Sequence, residues 1–334
     1  MIKVSVIIPV YNAGERLKAC LDSLVGQSLK DIELIFVLDC PTDGSDLIVK
    51  DYEKKKSNII VVENEHNINI GQSRNKGLEL AQGEYVAFCD HDDIVMDYMY
   101  EEMYNKGYIS NADVVLGVPE YRKNDGSLGN TYYYPEEGDI REKLLPYIIG
   151  KDETMPQWRF YFSHGVIWDN IYKREFLNHY QIRFVDNNKV TFEDNLFLIE
   201  CLIHANHAIV YNKLMYIHTI DDNNTASSSG YVKTEKVVNY IHCLNALLYR
   251  NGVKERYRSN FHKATISYLK SCLHKEFKRN GYNFYRDKKL LHRLSKDNAL
   301  VNILRDATMS LYIADSRNLV SRIINILLYS YLTK

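Results

Sequence analysis

Four short apolar runs, each followed by a helix-like or turn-like stretch, fill the first ninety residues and narrow the choice of fold more than any other feature of this chain. They are Val4–Ile8, Ile32–Leu38, the run in NIIVVE (58–63) and the run in EYVAFC (84–89). Between them, Leu17, Leu21, Leu24 and Val25 recur at the spacing of an amphipathic helix. A second helical pattern covers 46–56, and GQSRNKGLELAQG reads as a helix closed by Gly83. Near-continuous apolar strands alternating with helices imply an α/β fold, a mostly parallel central sheet with helices on both faces.

In such sheets ligands collect at the carboxyl ends of the strands. The fourth run ends there in Asp90-His91-Asp92-Asp93, and the second ends in the turn-rich DCPTDGS (39–45). Three carboxylates within four residues repel one another, and each loses stability if it leaves water unpaired. A solvated acidic turn is the bland explanation; a divalent cation is the sharp one. Oxygen ligands suit Mn²⁺ or Mg²⁺, and magnesium needs only one or two carboxylates when substrate phosphates supply the rest. His91 is expected to be an exposed spacer, because histidine is rare around hard cations. The chain has no GxGxxG, GxxxxGK[ST] or HExxH motif, which argues against a nicotinamide or flavin site, a P-loop and a zinc protease.

Later segments differ in character. A net charge of −1 over 334 residues hides a split. Residues 231–334 hold 20 Lys and Arg against 7 Asp and Glu, and residues 1–230 hold 22 against 36. The serine-rich DDNNTASSSGY (221–231) is the expected boundary, giving a catalytic domain over 1–230 and a basic, mainly helical C-terminal region over 231–334. Two helices there each end at Asn-Gly, a favourable left-handed cap, and NLVSRIINILLYSYLTK (318–334) is a third. A basic helical region of this kind could pack on the rest of the chain or rest against anionic lipid; no nucleic-acid motif accompanies the charge. Six cysteines without CxxC spacing point to a reducing compartment. The apolar start is too short for a signal peptide and no run matches a membrane span, so a cytoplasmic location is expected, peripheral at the inner face of the membrane if the basic region binds lipid.

VSVIIPVYNAGERLKACLDSLVGQSL, ELIFVLDCPTDGS, NIGQSRNKGLELAQGEYVAFCDHDD and WDNIYKREFL…IRFVDNNKVTFEDNLF resemble, in order and spacing, the successive blocks of glycosyltransferase family 2. The resemblance covers about residues 3–227. It implies a GT-A (Rossmann-like) fold and inverting transfer from a nucleotide-sugar donor to a glycan or lipid-linked acceptor. By position, it places Pro9 and Tyr11 in the base pocket and Asp39 as acceptor of a base hydrogen bond, most often from uracil. Asp90 and Asp92 become the DxD element, Asp90 nearer the ribose and Asp92 on the metal, with Asp93 in support. Arg74 lies near the base or the acidic turn, and Asp194 is the catalytic base. Glu193 stands beside it, and an acidic pair there also suits a plain helix N-terminus. Trp168 shapes a sugar pocket or packs in the core, and Asp169 is a candidate acceptor-sugar contact. His218 stands where many members carry Arg, and either assists the diphosphate or is a satisfied structural histidine. Two further departures are Leu38-Asp39-Cys40-Pro41 in place of Asp-Asp-Gly-Ser, and the lack of a proline after the acidic turn.

The chemistry suits these residue types. A departing nucleoside diphosphate gains negative charge that a metal stabilises as a Lewis acid, while a carboxylate from a separate segment takes the acceptor's proton. Two rival readings remain. A sugar-phosphate nucleotidyltransferase would want a glycine-rich basic loop after the first strand, which PVYNAGERL lacks. A catalytically inactive relative that only binds nucleotide sugar or glycan would have no need of both Asp92 and Asp194.

Overall fold

A computed structural model describes residues 1–123, 128–131, 140–150, 166–220 and 232–307. The alternation at the start of the chain is realised as β1 (Val4–Val10), α1 (Arg16–Val25), β2 (Ile32–Leu38), α2 (Ser45–Glu53), β3 (Ile59–Glu63), α3 (Asn69–Leu80) and β4 (Tyr85–Phe88). Every residue of β1, β2 and β4 is buried, as expected for strands covered on both faces. These strands run parallel in the order β3-β2-β1-β4. Helix α1 turns Leu17, Cys20, Leu21 and Leu24 inward, the stripe its spacing predicted.

The second half of the sheet is mixed. After β5 (Ile94–Val95) and α4 (Met99–Ser110) come β6 (Val114–Lys123), β7 (Leu128–Thr131), α5 (Ile140–Ile149), β8 (Asn170–Lys173), α6 (Arg174–His179), α7 (Glu193–His204) and β9 (Ala208–Ile220). The order continues β4-β8-β6-β9-β5, with β8 antiparallel to both neighbours and β9 parallel to β6. The two-residue β5 pairs antiparallel with β9, Val95 opposite Tyr216 and Ile94 opposite Ile217. The acidic turn is therefore stretched between the end of central β4 and a strand on the far side of the sheet.

Gly83 does not close α3. The helix stops at Leu80, and Ala81 is already extended. Gly83 is small for another reason: its N–H donates to Ser5 Oγ at 2.7 Å, and a Cβ there would lie 2.6 Å from the Ser5 nitrogen. Ser5 in turn donates to Glu33 Oε1 at 2.5 Å, which also accepts from Gln82 N–H at 2.7 Å. These buried polar groups knit the amino ends of β1 and β2, away from the carboxyl edge.

The chain forms two compact units. The sheet belongs to the first, and the second draws on 145–150, 188–192 and 232–307. The second unit thus includes two short stretches from before residue 230, in addition to the basic region. It is built from α8 (Thr234–Arg250), α9 (Arg258–Arg279), α10 (Phe284–Leu294) and α11 (Asn298–Asp306). Helices α8 and α9 are each followed by a left-handed glycine, Gly252 (φ +67°) and Gly281 (φ +65°), as the Asn-Gly pairs suggested. Tyr240, Tyr268 and Phe192 form an aromatic cluster inside this unit. Asn260 Nδ2 donates to the carbonyls of Pro146 and Gly150. The expected boundary at 221–231, the tail helix at 318–334 and most of the loop at 129–138 lie outside the described residues. Among the described residues, no helix is long and apolar enough to cross a membrane.

Candidate active site

At the carboxyl edge of the parallel strands, the loops after β1 and β2 are laced together. Asn12 Oδ1 accepts from Thr42 N–H at 2.7 Å, Asp43 Oδ2 from Gly14 N–H at 2.8 Å, and Ser45 Oγ from Ala13 N–H at 3.0 Å. Pro9 is buried within β1, and Tyr11, just past its end, leaves about half of its surface in water. Cys40 sits at φ +58°, a left-handed position that glycine meets without steric cost. That conformation fits the family's usual glycine at this point of the turn.

Asp39 is buried at the tip of β2. Its Oδ1 accepts from Asn64 Nδ2 and Ile68 N–H, both at 2.8 Å, and its Oδ2 from Asn69 N–H at 2.9 Å. Both oxygens therefore already hold the loop that leads into α3. Any bond to a nucleotide base would use a remaining lone pair.

Arg74 is the hinge of the site. Its guanidinium, 4% exposed, donates through Nη2 to Asp90 Oδ1 at 2.9 Å and through Nη1 to Glu193 Oε1 at 3.2 Å. It also lies over the Phe184 ring at 5.3 Å. Burial alone would depress its pKa, but Asp90, Glu193 and Asp194 outweigh that and hold it above the ordinary value. A buried cation so placed stays charged. One side chain thus bridges the acidic turn after β4 and the first turn of α7, segments a hundred residues apart.

Asp194 follows Glu193 at the N-terminus of α7, and its Oδ1 accepts from Asn195 N–H at 2.8 Å. It keeps some contact with solvent, yet protein packs closely around the carboxyl. Burial, then the neighbouring charge of Glu193, pushes its pKa up to about 7 against the pull of Arg74; Asp90 adds to the rise. Asp194 is therefore close enough to the acidic turn to feel its charge.

Within the turn the three carboxylates have different surroundings. Asp90 is held by Arg74, and its N–H donates to the Tyr216 hydroxyl at 3.0 Å. Asp93 is wholly buried: its Oδ2 accepts from Tyr216 Oη at 2.8 Å and lies 3.0 Å from His218 Nδ1, and its Oδ1 accepts from Thr219 N–H at 3.0 Å. Burial pushes Asp93 up to about 6 against the pull of His218. Burial would lower His218, but the bond to Asp93 overrides it and raises the imidazole. Asp92 makes no hydrogen bond among the described residues and keeps about a fifth of its side chain in water. His91 is not an exposed spacer: it is half-buried, with Nδ1 enclosed 3.9 Å from Asp92 Oδ1 and without a hydrogen-bond partner.

The donor set suits a hard cation. Asp92 offers carboxylate oxygens that no protein donor consumes, as a site completed by diphosphate oxygens and water requires. Among the described residues, no three His, Cys, Asp or Glu side chains are grouped to hold a metal by themselves.

Trp168 is 5% exposed and stacks on Tyr216 at 4.5 Å and on His218 at 5.2 Å between ring centroids. It packs against the two rings that hold the acidic turn through Asp93. Asp169 is fully buried; both carboxyl oxygens lack a partner among the described residues, and burial holds its pKa well above the carboxylate range. Asp169 is expected on an acceptor sugar, but the structure gives it no open surface. The residue that sequence reasoning missed is Tyr216, whose hydroxyl bridges Asp90 and Asp93. A tyrosine in an apolar strand reads as core, and only the β5–β9 register brings it to the turn.

Comparison with known proteins shows the family and the fold. The model for "Glycosyl transferase family 2" matches residues 5–194, more than half of the chain. The chain belongs to that family. A cholesterol galactosyltransferase of Borreliella burgdorferi is 29% identical over 310 residues, covering 90% of this chain and 82% of that protein. Among solved structures, residues 1–349 of Staphylococcus aureus TarS in complex with UDP-GlcNAc superpose with a TM-score of 0.70 at 22% identity, covering 98% of this chain and 92% of that one. A Pyrobaculum calidifontis mannosyltransferase in complex with GDP-Man and Mn²⁺ reaches 0.53 at 14% identity, covering 99% and 86%. These likenesses establish the GT-A-like α/β fold of this family member, with its helical C-terminal region.

Proposed function

We propose that this family 2 glycosyltransferase is an inverting enzyme that moves a sugar from a nucleoside diphosphate, most simply a UDP-sugar, to a hydroxyl of a glycan or lipid-linked acceptor. The observation that carries this reading is the Arg74 bridge, which ties Asp90 in the acidic turn to Glu193, next to Asp194, at the ligand-binding edge of the sheet.

The exposed ring of Tyr11, with Pro9 and Asp39 behind it, supplies a platform for the base. Asp90, fixed by Arg74, faces the ribose. Asp92 would hold Mn²⁺ or Mg²⁺, which when bound supplies Lewis-acid stabilisation of the diphosphate's charge. Asp93 carries no ligand; it anchors the turn to β9 through Tyr216, His218 and Thr219 N–H. Asp194 accepts the acceptor's proton as its oxygen attacks the anomeric carbon opposite the leaving group. A carboxyl raised to about 7 matches a general base working near neutrality. Glu193 keeps Arg74 aligned between the two segments.

The relatives bear on the substrates. UDP-GlcNAc in the TarS complex favours a UDP-sugar, and the sterol named for the B. burgdorferi relative favours a lipid-type acceptor. Together they fit synthesis of a bacterial surface polysaccharide or glycolipid from the cytoplasmic side of the membrane. The nucleotidyltransferase reading has no glycine-rich loop to support it, and a merely binding relative would leave the raised Asp194 without a task.

The test is a panel of nucleotide sugars screened for thermal stabilisation with and without Mn²⁺, followed by transfer assays with the best donor. Selective stabilisation by one donor and a product of inverted anomeric configuration are expected. A retained configuration would overturn the mechanism.

A further inference from the structure

Helix α10 in the second unit has two unlike sides. Leu290, Leu291 and Leu294 are buried. The opposite side, set by the 3.6-residue period, carries Tyr285, Arg286, Lys288, Lys289, His292 and Arg293, all exposed, with no carboxylate among them. Asp287 lies off this face, half-buried and accepting from Asn280 Nδ2 at 3.3 Å. Arg293 is paired with Glu235 at 2.6 Å. Arg286, Lys288, Lys289 and the following Lys296 have no acidic partner among the described residues. Tyr285 leaves 78% of its surface in water, and Tyr282 beside it 53%.

We propose that this face docks on an anionic phospholipid bilayer. Three of its cations, Arg286, Lys288 and Lys289, have no acidic partner among the described residues and stand beside tyrosines that gain nothing from exposure to water. Tyrosine prefers the headgroup level of a membrane, where its ring is apolar and its hydroxyl wet, and nearby Lys and Arg are drawn to an anionic leaflet. The apolar side of α10 is already buried, so the helix lies on the lipid and does not insert. Beside Arg293 a cavity of about 660 Å³ opens, lined in part by Lys189, Lys233 and Lys236, at the N-terminus of α8, which no side chain caps. Glu235 and Glu276 also line this cavity, so the docking face is α10 itself and the cavity is not counted in it. The proposal rests on the lipid-type acceptor above for its biological sense, and on α10 alone for its physics.

The experiment is co-sedimentation of the full chain with vesicles of phosphatidylcholine alone or mixed with phosphatidylglycerol, without donor or metal. Binding is expected only with phosphatidylglycerol, and to fall as salt rises. The pair Lys288→Gln/Lys289→Gln is expected to weaken it by roughly fivefold per charge, about 25-fold together, and Tyr285→Ala also weakens it. The pair Lys54→Gln/Lys56→Gln, exposed on the first unit, makes the same change in net charge and should leave binding intact. Unchanged binding in the α10 pair, or equal loss in both pairs, would overturn the proposal. So would loss of binding to a soluble polyanion such as heparin with vesicle binding preserved, which would assign the face to a polymer. Transfer to a soluble acceptor, measured in parallel on the parent, keeps the two proposals separable: a parent that transfers normally but does not bind phosphatidylglycerol vesicles removes only the docking face, and a parent that binds them but does not transfer removes only the reaction.

Discussion

Asp194→Asn should make the protein more stable at alkaline pH while abolishing transfer. The native state raises the Asp194 pKa from 3.8 to about 7. For an acid, a folded pKa above the unfolded one means that ionisation disfavours the fold. The cost is absent below about pH 4, grows between pH 4 and 7, and is complete above 7. At about 1.4 kcal/mol per pKa unit the ceiling is roughly 4 kcal/mol. Residual solvent contact and the coupling to Glu193 and Arg74 bring the expected gain to about 2 kcal/mol. Asparagine keeps the shape and removes the charge, so the difference between variant and parent isolates this titration. Urea denaturation in EDTA across pH 4–9 measures it. The parent and variant curves should converge near pH 4 and separate to a plateau above pH 7, while the variant still binds donor. A difference that does not change with pH, or a variant less stable at pH 8, would refute the reasoning. The parent's kcat/KM should also fall about tenfold per unit below pH 7, as the base becomes protonated.

Arg74→Met leaves Asp90 and Glu193 facing one another without their shared cation. A loss of about 3–5 kcal/mol of stability is expected by urea denaturation, and parent-like stability would show that the bridge holds nothing. Tyr216→Phe removes both the donor to Asp93 and the acceptor of Asp90 N–H while keeping the stacked ring. It should cost about 1–3 kcal/mol and raise the donor KM more than it lowers kcat; a stability loss with unchanged kinetics would make the hydroxyl purely structural.

The parts of this fold visible in the sequence are local. Burial on both faces makes β1 and β2 near-continuous apolar runs, and the stripe of α1 repeats with the helical period, so neighbouring residues report the environment. The acidic turn stands out because Asp90, Asp92 and Asp93 follow a strand without a spacer. Pairings between distant segments are not visible in this way. No periodicity tells that β8 runs antiparallel between β4 and β6, or that Val95 meets Tyr216. Depth is equally hidden: Asp169 looks like any polar residue beside a tryptophan, yet it is sealed inside. Gly83 reads as a helix cap because a glycine near the end of a helix commonly is one, while its close approach to Ser5 depends on packing. The resemblance puts Arg74 near the turn; that it also holds Glu193 is visible only in three dimensions.

The central claim is that the acidic turn grips a nucleoside diphosphate with help from a cation at Asp92. Calorimetric titration of UDP into the full chain, with Mn²⁺ or with EDTA, tests it most directly, using the parent and Asp92→Ala. Tight binding by the parent only with Mn²⁺, and weak binding by the variant under both conditions, is the predicted result. Equal UDP affinity of parent and variant in Mn²⁺ would contradict it.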